Sequence, residues 1–444
     1  MKRIILTLFL SYALSPMLFA QQKMVLPIDS LFSLTAANSK QLDVARYKIN
    51  LAEKATSIEK QEANLPNIET GFSYAYLSNA GVWNNHFQYE ETVAMPHTSL
   101  DFSVEASYLV FDGNASKNRI QKASLEEQVA RLNYDQAKED VQFLLLAKYL
   151  DLAALYNQEN VVIENITLAK RRLKDIGKLI EQGMLTHNDR VRSELLLTEL
   201  QQKLAEIRNN ITMVNHELTV VTGLPQETRI VPDSTILSQD IQTASLDSYR
   251  AGAAERLPEL QAVQVEQQIS KKQESIVKSK RLPTLSVFAG DALSRPFIYS
   301  IPPQDIYLHL FQAGVKVHYD ISSLYRSKRQ VQQAKMQSTM VNKHKQLLAE
   351  KAEIGIHTAY VKLQDAQEKY TTAQESYRLA KDNYQVVEQK YLNKFAVITD
   401  IVDASNALLA AQINMNNTRI GIIYQYYYLM KAAGLWNNVN PTES

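Results

Sequence analysis

Residues 100–108 read LDFSVEASY, and their alternation decides the fold. Leu100, Phe102, Val104, Ala106 and Tyr108 point one way; Asp101, Ser103, Glu105 and Ser107 point the other. A period of two with aromatic residues on the apolar side marks a strand with one face in a nonpolar medium. An earlier stretch repeats the pattern. Ile68, Thr70, Phe72, Tyr74 and Tyr76 oppose Glu69, Gly71, Ser73 and Ala75. Two later stretches alternate as well. Leu285, Val287 and Ala289 oppose Thr284, Ser286 and Gly290, with Phe288 breaking the polar set. Tyr307, Phe311, Ala313, Val315 and Val317 oppose Gln312, Gly314, Lys316 and His318. Four strands are therefore expected, at about 66–78, 99–111, 283–294 and 306–319.

Outside the strands the chain is written twice. Tyr149–Leu224 matches Tyr360–Leu435 at a constant shift of 211 residues. Asp189 falls on Asp400, Gly223 on Gly434 and Leu224 on Leu435. Leu65-Pro66 is echoed by Leu282-Pro283, and Phe111-Asp112 by Tyr319-Asp320. Each copy reads helix, strand, strand, long helix, helix, so an internal duplication sets the architecture. The first repeat covers 21–224, a linker 225–246, the second repeat 247–435 and a tail 436–444.

The helix lengths are informative. Long helices are expected over roughly 115–182 and 324–392, about 100 Å each at 1.5 Å per residue. Shorter ones, at roughly 30–64, 187–222, 247–280 and 398–433, are about half as long. Two short helices end to end then match one long helix, which gives a bundle of uniform height. Leu197, Leu200, Leu204, Ile207, Ile211, Val214, Leu218 and Val221 follow a 3,4 rhythm, the seam of a coiled coil.

Composition agrees. The 444 residues carry 48 basic and 47 acidic side chains, with 12 glycines and 12 prolines. That balance favours long helices and leaves no electrostatic footprint for nucleic acid. Lys2-Arg3, an apolar run from Ile4 to Leu14 and the small residue Ala20 form the pattern of a signal peptide over 1–20. Without cysteine, neither a disulfide nor a lipid-modified N-terminal cysteine can form in this sequence. Beyond the leader no apolar run reaches the length of a membrane helix. Four strands cannot close a barrel, and open sheet edges are not tolerated in lipid, so several copies must combine.

These features resemble the outer-membrane efflux proteins of the TolC type. The resemblance rests on the duplicated plan, the Leu-Pro before each first strand, Phe111-Asp112-Gly113 and Tyr319-Asp320 after the second strands, and the Gly-Leu ending each copy. Its sharpest local match is Thr399-Asp400-Ile401-Val402-Asp403-Ala404. It implies a mainly α protein with a membrane β-barrel: a homotrimer whose twelve strands form one barrel and whose twelve helices form one periplasmic tunnel. It also implies a passive exit duct in the outer membrane of a Gram-negative bacterium. Its partners would be outer-membrane lipid, a periplasmic adaptor and an inner-membrane pump of RND or ABC type. A type I protein-secretion channel is the alternative within this class. A coiled-coil envelope protein without a channel is the alternative outside it, and would leave the strands unexplained.

In the family, an Asp-x-x-Asp at this point rings the periplasmic aperture. The resemblance thus assigns Asp400 and Asp403 to a gate, with Asp189 and Arg192 at the equivalent positions of the first copy. Asp400 and Asp403 share a helix face, and acids in a first turn also suit the helix dipole, which is the plainer reading. Some members latch the closed state with an arginine four residues before the first aspartate; here that residue is Ala396. Arg190 and Arg192 are candidate partners for the aspartates. Asp101, Glu105, Glu69 and Lys316 are expected to line the lumen. Gly183, Thr186, Lys394 and Val397 mark the turns of a tip where an adaptor would dock. The histidines, among them His86 and His97 near Glu90 and Glu91, lack the spacing of a zinc motif, and no cofactor is expected. No nucleophile elbow, phosphate loop or HExxH motif suggests an enzyme.

Overall fold

The computed structural model describes residues 23–233, 235–236, 241–300 and 302–436. The expected leader over 1–20 and the tail beyond 436 lie outside these residues. The chain divides into two compact units. One is formed by Tyr47–Asn133 with Glu259–Leu347; the other by the residues up to Arg46, Tyr134–Pro258 and those from Leu348 onward.

In chain order the elements are β1 (Lys23–Leu26), α1 (Ile28–Asn38), α2 (Lys40–Asn64), β2 (Asn67–Tyr76), β3 (Ala80–Trp83), β4 (Tyr89–Val93) and β5 (Thr98–Phe111). Then come α3 (Ala115–Glu181), α4 (His187–Thr222), β6 (Arg229–Pro232), α5 (Leu246–Arg250), α6 (Ala253–Arg256) and α7 (Pro258–Ser279). The chain closes with β7 (Thr284–Arg295), β8 (Leu308–His318), α8 (Ser323–Leu392) and α9 (Ile398–Ala432).

The first unit holds a four-stranded antiparallel sheet in the order β2-β5-β7-β8. Its strands run 10 to 14 residues, enough to cross a bilayer when tilted. The register keeps the two faces distinct. Phe102 lies opposite Phe72 and Leu293 on one face; Glu105 lies opposite Glu69 and Gly290 on the other. Phe288 falls on the polar face, where its ring covers Gly314: a Cβ there would stand 3.2 Å from the ring. The aromatic residue thus fills the gap a glycine leaves in the sheet. The loop between β2 and β5 is not plain coil, because β3 and β4 pair as a small hairpin within it.

In the second unit Tyr149 and Trp436 anchor the main core. The Tyr149 hydroxyl donates to the Leu26 carbonyl at 2.7 Å and accepts from the Asp233 N–H at 2.6 Å, and burial pushes it up to about 12. This ties down β1 and β6, which pair in parallel. The segment 225–246, expected as a linker, therefore contains a strand. Trp436 is 1% exposed and donates to Gln142 at 2.8 Å. The coiled-coil seam is in place. Leu200, Ile207, Ile211 and Leu218 are buried, and Leu197, Leu204, Val214 and Val221 pack against them.

Two helices expected to be continuous are broken. The first divides at Ser39, whose hydroxyl accepts from the Leu42 N–H and so restarts the helix as α2. The helix expected from 247 is three pieces. Gly252 takes a left-handed φ of 71°, and Pro258 forces Leu257 into the extended region. The duplication is visible in the backbone. Gly183 and Lys394 end α3 and α8 at φ 66° and 67°, and Gly223 and Gly434 follow α4 and α9 at φ 71° and 67°.

Candidate functional site

Two helical turns form the first part of the candidate site. After α3, the Gly183 N–H donates to the Ile180 carbonyl and the Met184 N–H to that of Leu179, both at 2.8 Å. After α8, the Lys394 N–H donates to Tyr391 at 3.1 Å and the Phe395 N–H to Lys390 at 2.8 Å. Both are Schellman closures needing a left-handed residue. Glycine adopts this freely; Lys394 does so at a cost.

The next helices start alike. The Asp189 carboxylate accepts from the Thr186 N–H at 2.8 Å and from its hydroxyl at 2.7 Å. The Asp400 carboxylate accepts from the Val397 N–H at 3.0 Å. Val397 has no side-chain acceptor, so only Asp400's half of a capping box exists. Asp189 and Asp400 are thus helix-start carboxylates. Asp403 and Arg192 are exposed one turn further on. Arg190 pairs with Glu194 at 2.8 Å, and no ion pair joins Arg190 or Arg192 to Asp400 or Asp403 among the described residues.

The two turns share one apolar cluster. Ile176, Tyr384, Tyr391, Ile398, Ile401 and Ala404 are buried, with Ile180, Leu185 and Ala396 packed against them. A polar network missed by sequence reading crosses this cluster. Arg172 on α3 donates to the Tyr384 hydroxyl at 2.9 Å, and that hydroxyl donates to Glu388 at 2.8 Å. Burial raises the Tyr384 hydroxyl above its ordinary range, against the lowering effect of Arg172. Tyr391, also on α8, is raised by burial and then by Asp189, with Arg172 again opposing. Its hydroxyl and Nη1 of Arg172 are buried without a hydrogen-bond partner.

The polar face of the sheet forms the second part. Glu69 and Glu105 lie directly opposite each other, and Asp101 accepts from Ser73 at 3.4 Å and from Ser99 at 3.3 Å. Lys316 lies opposite Ser286 on the same face. All four residues expected to line a lumen therefore share one side, with acids in excess. The opposite face is apolar and open. Phe72, Phe311 and Val317 are each about two-thirds exposed. It also carries a polar pair, Asp291 and His309, 2.6 Å apart. His97 stacks on Tyr76 at 5.5 Å and bonds the Leu77 carbonyl at 3.0 Å.

No protein-family model matches the sequence, and no curated protein does. Solved structures match it closely in shape. The CmeC outer membrane channel of Campylobacter jejuni superposes with a TM-score of 0.70 at 16% identity, covering 92% of this chain and 86% of that one. The fold is that of the outer-membrane channels. VceC, an outer membrane protein of Vibrio cholerae, gives a TM-score of 0.71 at 14% identity over 92% of this chain and 96% of its own. MtrE, an outer membrane channel of Neisseria gonorrhoeae in its open state, gives 0.64 at 14% identity over 92% and 89%.

Proposed function

We propose that the protein is a passive exit duct across the outer membrane, assembled from three copies. The observation that carries this reading is the sheet. Its apolar face is open, and β2 and β8 each have one edge unpaired among the described residues. In lipid such edges must close, and three antiparallel contacts between them place β8 of one copy against β2 of the next. The same head-to-tail contact repeated around an axis gives a ring. The acid-rich face then lines the pore and favours cations. The capped turns, with Asp400 and Asp403 at the start of α9, form the periplasmic aperture.

The chain has no nucleotide-binding motif, so it draws its energy from a partner. In this reading Gly183, Thr186, Lys394 and Val397 meet the helical hairpins of a periplasmic adaptor, which couples the duct to an inner-membrane pump of RND or ABC type. Native mass measurement in detergent tests the assembly. Three chains per particle are expected; a monomer that dissolves without detergent would sink the proposal. Cross-linking at Gly183 and Lys394 tests the docking surface, and failure to capture an adaptor there removes that part alone.

A further inference from the structure

Below the sheet, where β7 and β8 meet their helices, the first unit contains a cavity of about 510 Å³. Two basic runs wall it. Ser279 and Lys280 come from the run Lys278-Ser279-Lys280-Arg281, and Arg326 and Ser327 from the run Arg326-Ser327-Lys328-Arg329. Arg281 joins the runs by donating to the Ser327 hydroxyl at 2.7 Å. Of these six cations only Lys278 forms an ion pair among the described residues, with Glu274 at 2.7 Å. Arg119 and His318 reach the cavity as well.

The acids present are already engaged. Asp112 accepts from the Ser116 N–H at 2.7 Å and its hydroxyl at 2.6 Å, and stands 3.7 Å from Arg119. Asp320 accepts from the Ser322 N–H at 2.9 Å and its hydroxyl at 2.5 Å. They cap the starts of α3 and α8, so the helix ends do not themselves call for an anion. After the Ser322 hydroxyl, Arg326 also lowers the Asp320 carboxyl electrostatically, so of the three cations lining the cavity, Arg119, Lys280 and Arg326, two are balanced by Asp112 and Asp320 and one positive charge is left in excess.

One buried group points to what fills the space. Ser323, on the cavity wall, is 9% exposed, and its hydroxyl has no hydrogen-bond partner. A buried hydroxyl without a partner is costly, and it becomes satisfied when a ligand oxygen accepts from it. Lys280 and Arg326 open onto the same space, supplying charge-assisted donors.

We propose that this cavity binds a phosphate-type oxyanion, held by Lys280, Arg326 and the Ser323 hydroxyl. Thr284 and His318 on its wall belong to the polar face of the sheet, so the anion is reached from the water-filled side. This deepens the proposed function, and rests on it for its role: the duct would carry a cationic collar in which anionic groups of a passing compound pause. A phospholipid headgroup offers the same oxyanion chemistry from the membrane.

The test uses the full chain in detergent at neutral pH, with inorganic phosphate titrated by calorimetry. Saturable binding is expected, weakened roughly tenfold or more in the Lys280→Gln, Arg326→Gln double variant and weakened again by Ser323→Ala. Asp403→Asn should bind as the parent does. Both basic residues are exposed, so the double variant should keep its fold, which circular dichroism and native mass check. Native mass spectra also report retained phospholipid. Lipid lost in the double variant, without phosphate binding in the parent, assigns the site to a headgroup. Absence of both, or equal binding by parent and double variant, overturns the proposal. Neither measurement depends on conductance, so a channel that fails in bilayers and a site that fails here are told apart.

Discussion

The guanidinium of Arg172 donates to the hydroxyl of Tyr384 at 2.9 Å and stands 5.9 Å from its ring centroid, although 212 residues separate the two in the chain. The contact joins α3 to α8 beside the turns that form the candidate aperture. Ala396 stands where some members of the resembling family place a latching arginine, and Arg172 brings a guanidinium from the other repeat. Tyr384→Phe removes the acceptor for Arg172 and the donor to Glu388. A hydrogen bond to a charged group contributes about 1.5–3 kcal/mol, so the junction should loosen. Single-channel recording should show a larger or more often open conductance. An unchanged trace would make the network a packing feature only.

The two aspartates of α9 should separate in their effects. Asp400 caps the helix through the Val397 N–H, whereas Asp403 is exposed. Asp400→Asn should weaken protection of the first turn against hydrogen exchange, with a cost of about 0.5–1 kcal/mol. Asp403→Asn should leave exchange unchanged and lower cation selectivity in bilayers. Selectivity that survives Asp403→Asn would place the filter elsewhere.

Much of this was legible in the sequence, because the signals are local and periodic. The alternation of Leu100 to Tyr108 fixed a strand, and the 211-residue shift predicted paired turns at Gly183 and Lys394. The breaks at Ser39 and Leu257 were hidden, since helix periodicity continues on both sides and each break depends on one cap or proline. The pairing of β1 with β6, and of Arg172 with Tyr384, joins residues far apart in sequence that carry no shared local pattern. Phe288 breaks the alternation of its strand because its ring covers Gly314 on the neighbouring strand, a cross-strand relation that one strand's pattern does not carry.

Acidity should act through Glu139. Burial pushes its carboxyl up to about 7; Lys431 lowers it, and Asp140 and Asp135 raise it further. The folded chain therefore holds this proton more tightly than the unfolded chain, whose carboxyl titrates near 4.5. The contribution is fully present below pH 4.5 and is lost as pH rises to 7 and beyond. Glu139→Gln should remove that loss, adding about 1–3 kcal/mol at pH 8 and little at pH 4. Thermal unfolding across this range is the check, and parallel curves for the two proteins would refute the assignment.

Trp436 should be a keystone of the helical core. It lies among Phe32, Phe143 and Tyr427 at ring distances of 5.9, 6.0 and 6.1 Å and satisfies Gln142. Trp436→Ala should cost about 3–5 kcal/mol and leave the Gln142 amide oxygen without its partner. The midpoint of heat dissociation in detergent reads this directly; a shift within error would mean that the residues after α9 are dispensable.

Conductance across a planar bilayer is the direct test that the strands enclose a pore. Purified protein added to one side should insert in uniform steps, with cations carrying more current than anions because Glu69, Asp101 and Glu105 outnumber Lys316 on the polar face. A protein that folds correctly, enters the bilayer and gives no steps would contradict the claim that these four strands help to enclose a pore.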